Sequence, residues 1–270
     1  MHGVAALSLA SRVILTVNGP GELAGWAFPL TAALKRASPA LFVGIAIVPC
    51  VYSTGAEPDV AAGFAAVDAI SPASETMRWI LRGQVPQGFQ GEAPTTVLHL
   101  GGDPLLTLAL ARRIGAGTAA YLEGPLSGAR WFTRLYARDD GVRRRVGRRA
   151  VVVGDLMVDA ARMRCPVRRP PGADEPPVIG IFPGSRRQYY RHMLPFFLLV
   201  AARAQAALPG ARWLIARSPF VTDDELAAVA ADSAVRAFSG DSGTYHPRTP
   251  TNEASLVTEH GVHVDVLDTA

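Results

Sequence analysis

Short apolar runs alternating with helical patterns constrain this chain more than any single motif. Arg12–Asn18 (RVILTVN), Leu41–Val48, Thr95–Leu100 (TTVLHL), Thr118–Leu122, Arg134–Ala137 and Ala150–Val153 read as buried strands, with Phe64–Ile70 a weaker one. Helices are expected between them over about Leu23–Ala37, Leu105–Ile114 and Ser74–Arg82, the last with Ser74 as N-cap. Strands that alternate with helices, and are apolar along their whole length, belong to a parallel sheet covered on both faces. The fold class is therefore α/β.

The stretch Arg164–Pro177 (RCPVRRPPGADEPP) carries five prolines, which oppose both helix and central strand. It reads as a linker between a first domain over 1–163 and a second over 178–270, where the pattern restarts. Val178–Phe182, Arg212–Ala216, Val235–Phe238 and His263–Leu267 are expected strands. Tyr190–Leu208 and Asp223–Ala231 are expected helices, and Ser239–Ser255 a loop. The second half is expected to be an incomplete version of the same nucleotide-binding type.

Lys35 is the only lysine against a Lys+Arg total of 27, so the positive charge is almost wholly guanidinium. Arginine suits phosphate recognition, but a general bias towards arginine carries no such meaning, so only arginines at special positions count. The cluster Arg143–Arg145 with Arg148 and Arg149 reads first as a solvated basic face and second as a site for anionic lipid headgroups. No recognition motif or interleaved aromatics accompany it, so nucleic acid is not expected. Cys50 and Cys165 stand apart without metal-ligand spacing, which fits a reducing compartment. No basic segment precedes the apolar Val4–Ala10 run, and no run reaches the roughly 20 residues of a membrane span. A soluble cytoplasmic protein is expected.

Three turns after strands carry candidate chemistry. Phe182-Pro183-Gly184-Ser185-Arg186 hands a strand over to a long helix. Helix N-termini offer free N–H groups and partial positive charge, and Gly184, Ser185 and Arg186 add close approach and donors, so a diphosphate fits. A plain capped turn reads equally well locally. Asn18-Gly19-Pro20-Gly21-Glu22-Leu23-Ala24-Gly25-Trp26 follows the first strand, and its glycines allow close backbone approach by a substrate. Neither turn is a Walker or dinucleotide fingerprint. Gly101-Gly102-Asp103-Pro104 follows a central strand. There Asp103 can take a proton from a substrate hydroxyl, cap a helix, or do both. His99 reads as a satisfied core residue.

Taken in order, four segments resemble the lipid-A-disaccharide synthase family, glycosyltransferases of GT-B architecture. Gly21-Glu22-Leu23-Ala24-Gly25-Trp26 is similar to that family's G-E-x-S-G-D, with Ala24 and Trp26 replacing Ser and Asp. Gly102-Asp103-Pro104-Leu105-Leu106-Thr107-Leu108 resembles I-D-x-P-D-F-N-L. Val153-Gly154-Asp155-Leu156-Met157-Val158-Asp159 resembles V-G-H-P-L-x-D, with Asp155 in place of His, and Phe182–Arg186 resembles L-P-G-S-R. The resemblance implies two Rossmann-type parallel-sheet domains facing a cleft and transfer of a sugar from a UDP-sugar to an acylated or lipid-linked acceptor. The donor would be held by Gly184, Ser185, Arg186 and Arg217, and the acceptor by Gly19, Gly21, Gly25 and Trp26. Asp103 is the expected general base, with Glu22 second. It also implies no metal and no cofactor, and contact with the inner face of the cytoplasmic membrane. A UDP-sugar 2-epimerase of the same architecture and a non-catalytic nucleotide-sugar- or lipid-binding relative are the competing expectations.

Overall fold

The computed structural model describes residues 11–51, 53–164, 172, 175–184, 187–218, 220–232 and 243–268, with only the backbone of 187 and 188. Two compact units divide the chain, 1–167 and 168–270.

The first unit holds a seven-stranded, wholly parallel sheet. Its strands are β1 (Arg12–Val17), β2 (Phe42–Ile47), β3 (Ala69–Ser71), β4 (Thr95–His99), β5 (Gly117–Leu122), β6 (Arg134–Ala137) and β7 (Ala150–Val152). The order is β3-β2-β1-β4-β5-β6-β7. Chain direction across the sheet thus reverses between β1 and β4, the arrangement of a doubly wound fold. Every residue of β1 is buried, as a central strand covered on both faces requires. The α/β class read from the sequence is the one observed.

Helices α1 (Pro20–Glu22) and α2 (Phe28–Ala37) are joined by a π-helical stretch, Leu23–Ala27, in which the Phe28 N–H reaches back to the Leu23 carbonyl. Pro29 has no N–H to return to the preceding turn, which favours this wider winding. Beyond α3 (Glu57–Ala62) come α4 (Ala73–Arg82) and α5 (Pro104–Arg113), which pack Trp79, Ile80, Leu110 and Ala111 on Ile14, Ala46 and Val97. Next, α6 (Asp140–Val146) places Val142 over Leu122, Leu135 and Ala137. Finally α7 (Leu156–Arg164) brings the Arg164 guanidinium over the Phe28 ring at 4.6 Å.

The second unit has a five-stranded sheet in the order β10-β11-β12-β9-β8. Strands β8 (Val178–Ile181), β9 (Arg212–Arg217) and β12 (His263–Asp268) are parallel, while β10 (Gly243–His246) and β11 (Ser255–Thr258) form an antiparallel meander onto β12. Helix α8 (Arg187–Gln205) buries Tyr190, Leu194, Leu198 and Ala201. Helix α9 (Asp223–Ala230) starts with a complete capping box between Thr222 and Glu225.

Four expectations need correction. Ser74 caps nothing: α4 begins one residue earlier, after Pro72, and no side chain caps it. Phe64–Ile70 shrinks to the three residues of β3, because Phe64 and Val67 belong to turns after α3. Helices α3, α6 and α7 were not expected at all. The segment 239–255 is not all loop, since β10 pairs with β11 across it. The expected strand Val235–Phe238 lies outside the described residues, as do Cys165 and most of the proline-rich stretch. Among the described residues no helix is long and apolar enough to cross a membrane.

Candidate active site

In an open parallel sheet, strand-end loops diverge where the order reverses, leaving a crevice at the carboxyl edge. Here that point lies between β1 and β4. The loops that flank it carry Asn18, Gly19 and Glu22 on one side and Gly101, Gly102 and Asp103 on the other.

These residues interlock. A Cβ on Gly101 would lie 2.6 Å from Glu22 Cγ and 3.2 Å from Asn18 Oδ1. One on Gly102, whose φ is +90°, would lie 2.6 Å from a Val48 methyl. The glycine pair therefore makes room for Glu22 and Asn18 side chains rather than for a ligand's backbone contact. Asn18 Oδ1 is buried without a hydrogen-bond partner among the described residues. Glu22 is half-buried and forms no hydrogen bond or ion pair there. Asp103 is exposed at the N-cap of α5, where Oδ1 accepts the Leu105 N–H at 2.8 Å. Its cap role is thus real, and its second oxygen takes no partner among the described residues.

Beneath Asp103, His99 Nδ1 lies 2.9 Å from Thr107 Oγ1, which is 2.7 Å from Thr16 Oγ1. All three are buried. Burial pulls the His99 pKa down to about 4, and the Asp103 charge opposes this only in part. His99 is accordingly a neutral core residue, linked to the site through Asp103.

The remaining acceptor-side candidates have separate surroundings. The Gly25 position faces Met157 of α7, whose Cγ would be 3.1 Å from a Cβ there, so helix packing accounts for this glycine. Gly21 has no atom within 4 Å of a Cβ position, and at Gly19 such a Cβ would meet the Glu22 carboxylate. Trp26 packs edge-on against Tyr121, ring centroids 6.0 Å apart.

Sequence reasoning named Asp155 as a motif position but missed the charged group it forms with Glu123 and Arg138 beside these loops. Glu123 and Arg138 follow β5 and β6 directly, and Asp155 lies three residues after β7. Arg138 Nε bonds Asp139 at 2.9 Å and approaches Asp155 at 4.0 Å, while its Nη1 is 3.9 Å from Glu123. Burial raises the Glu123 carboxyl above its ordinary pKa. Arg138 opposes the shift, and the Asp155 and Glu22 charges add to it. The Trp26 indole N–H also favours the Glu123 carboxylate but stops short of hydrogen-bond geometry. Tyr121 pins the Gly154 loop by donating to the Gly154 carbonyl and accepting the Leu156 N–H, both at 3.2 Å; burial pushes its phenol up to about 12. The available signal was positional: each charge sits within three residues of the end of an apolar strand.

In the second unit, Gly184 follows β8 with φ +106°, a left-handed conformation that favours glycine, and lies exposed. Ser185 and Arg186 lie outside the described residues. Arg217, at the end of β9, bonds Asp268 through Nε at 2.6 Å and also pairs with Asp223. Its guanidinium is thus held by two aspartates of its own unit, a structural task the sequence did not suggest. Tyr190 repeats the device of Tyr121: its hydroxyl donates to the Ala216 carbonyl and accepts the Ser218 N–H at 3.0 Å. Among the described residues no group of His, Cys, Asp and Glu side chains is arranged to hold a metal ion.

No protein-family model matches the chain, and no curated protein matches it significantly. Solved structures do. UDP-GlcNAc 2-epimerase from Neisseria meningitidis bound to UDP-GlcNAc matches at 11% identity and TM-score 0.48, over 96% of this chain and 72% of that one. S. aureus MnaA with UDP matches at 15% identity and TM-score 0.48, over 84% and 66%. A glycosyl transferase family 9 protein from Veillonella parvula matches at 13% identity and TM-score 0.39, over 81% and 65%. The chain therefore spans about two thirds to three quarters of the length of these proteins. Likeness of this size says nothing about activity.

Proposed function

We propose that the chain is a UDP-sugar-dependent hexosyltransferase acting on a hydroxyl of an acylated or lipid-linked acceptor, at the cytoplasmic face of a membrane. The observation that carries this reading is the Asp103 carboxylate, exposed at the end of β4 where the sheet order reverses, with one oxygen fixed by the α5 cap. A hydroxyl nucleophile needs a base held in one orientation, and a capping aspartate is such a base. Glu22, whose side chain packs against Gly101 of the same loop pair, is the second candidate. The resemblance of Phe182–Arg186 to a sugar-nucleotide loop supports a donor diphosphate at the start of α8. There helix-end amides and Arg186 would stabilise the charge that grows on the leaving group.

Incubating the full chain with UDP-sugars and sugar acceptors, then identifying the products by mass spectrometry, tests the reading. Transfer predicts UDP release matched one-to-one by glycosylated acceptor. A UDP-sugar converted to its C2 epimer without acceptor would replace it with the epimerase reading. Binding without turnover would make the protein a non-catalytic relative.

A further inference from the structure

The charges of the first unit are segregated by pole. At the carboxyl edge of the sheet stand Glu22, Asp103, Glu123, Asp139 and Asp155 against Arg138. At the amino edge, around β6 and β7, the balance is reversed. Arg134 opens β6, and Arg149 precedes β7 at the same level, because Leu135 pairs with Ala150. The Arg149 guanidinium holds the 3-10 turn Ala129–Trp131 by donating to the carbonyls of Ala129 and Phe132. Helix α6 runs back from Asp139 to Gly147, bringing Arg145 and then Arg148 to the same end. Arg130, Arg134, Arg145 and Arg148 are exposed and form no ion pair among the described residues, while Arg143 is neutralised by Asp140 at 2.8 Å. Attraction to the helix dipole explains a basic residue in the last turn of α6 but not Arg130, Arg134 or Arg148.

Apolar surface lies within this basic patch. Trp131 is 52% exposed, folded over Gly128 with the Arg130 guanidinium 5.0 Å from its ring, and Val151 of the edge strand β7 is 46% exposed. Guanidiniums around one exposed indole and an aliphatic edge fit a surface that is anionic outside and apolar beneath. A nucleic acid would instead call for a row of stacking aromatics. We infer that this face of the first unit, around Trp131, Arg134, Arg145 and Arg148, docks on a bilayer of anionic phospholipid.

The acidic opposite pole is repelled by the same bilayer, so the charge distribution also sets the orientation. The candidate active site is turned towards water. A six-residue strand at about 3.3 Å per residue holds it roughly 20 Å from the lipid plane. This inference does not depend on the transferase reading, but it sharpens it. A lipid-linked acceptor would have to present its hydroxyl well above the bilayer, which suits a headgroup of several sugars better than a single acylated sugar.

Co-sedimentation of the full chain with vesicles tests this, comparing phosphatidylcholine alone with phosphatidylcholine containing phosphatidylglycerol. Binding is expected only to the anionic vesicles, with loss in high salt and a blue shift of tryptophan emission that Trp131→Phe removes. Combined Arg134→Glu, Arg145→Glu and Arg148→Glu should weaken binding about a hundredfold or more, at about a fivefold loss for each positive charge removed. An equal charge reversal elsewhere, Arg78→Glu with Arg162→Glu and Arg203→Glu, should leave most of it; circular dichroism checks that both variants fold. Absence of binding to anionic vesicles, equal loss in both triple variants, or preferential binding of a single-stranded oligonucleotide would overturn the inference.

Discussion

Asp103→Asn is expected to lower sugar transfer by about 10²- to 10⁴-fold, the range in which a positioned general base contributes. The substitution is informative because it separates the two tasks of this residue. Asparagine is as good an N-cap as aspartate, and its amide oxygen can still accept the Leu105 N–H. The thermal midpoint and UDP affinity should therefore stay close to those of the parent chain while turnover collapses. Asp103→Ala should show the same loss of turnover plus about 1 kcal/mol of stability, from the lost cap. Normal turnover in Asp103→Asn would remove this residue from the chemistry and leave it as a cap alone.

Mild acid should destabilise the first unit through His99. The folded-state pKa is about 4 because burial disfavours the imidazolium, against an ordinary value of 6.5. Between these values the unfolded chain binds the proton and the folded one does not, so stability is present above pH 6.5 and is lost as pH falls towards 4. The expected loss is about 2 kcal/mol by pH 5 and about 3 kcal/mol by pH 4. Urea denaturation in steps from pH 7 to 5, compared with His99→Gln, isolates it, since the variant should lack this part of the slope whatever its absolute stability. Parallel pH profiles for the two proteins would mean that His99 titrates normally.

Six of the seven strands of the first sheet were legible because continuous apolar runs have few other uses in a chain of this length, whereas β3 is too short to show one. Helices α6 and α7 were not. Their apolar faces are short, and three of the seven residues of α6 are consecutive arginines, so it read as a charge cluster. Their caps were the readable signal: Asp139 accepts the Val142 N–H and Asp155 the Met157 N–H. The meander of β10 and β11 was hidden because its strands are half polar, as expected where one face meets water. At the site, Asp103 and Glu22 stood out because each lies beside glycines after a strand. Glu123 and Arg138 did not, and Asp155 stood out only as a substituted motif position, because the proximity of the three arises from the lateral order of β5, β6 and β7. Strand order is a long-range property that no local stretch encodes. For the same reason the sequence could assign Gly25 to a ligand, when the neighbour packed against it is Met157 from a helix about 130 residues later.

The central claim, that the turn before α8 receives the diphosphate of a uridine nucleotide, is tested most directly by calorimetric titration. UDP and uridine would each be titrated into the full chain and into Arg186→Ala. The account predicts saturable UDP binding, at least about tenfold weaker binding of uridine, and at least about tenfold weaker UDP binding by the variant, as loss of a charge-assisted phosphate contact implies. UDP that fails to bind, or that binds the parent and Arg186→Ala equally, would contradict it.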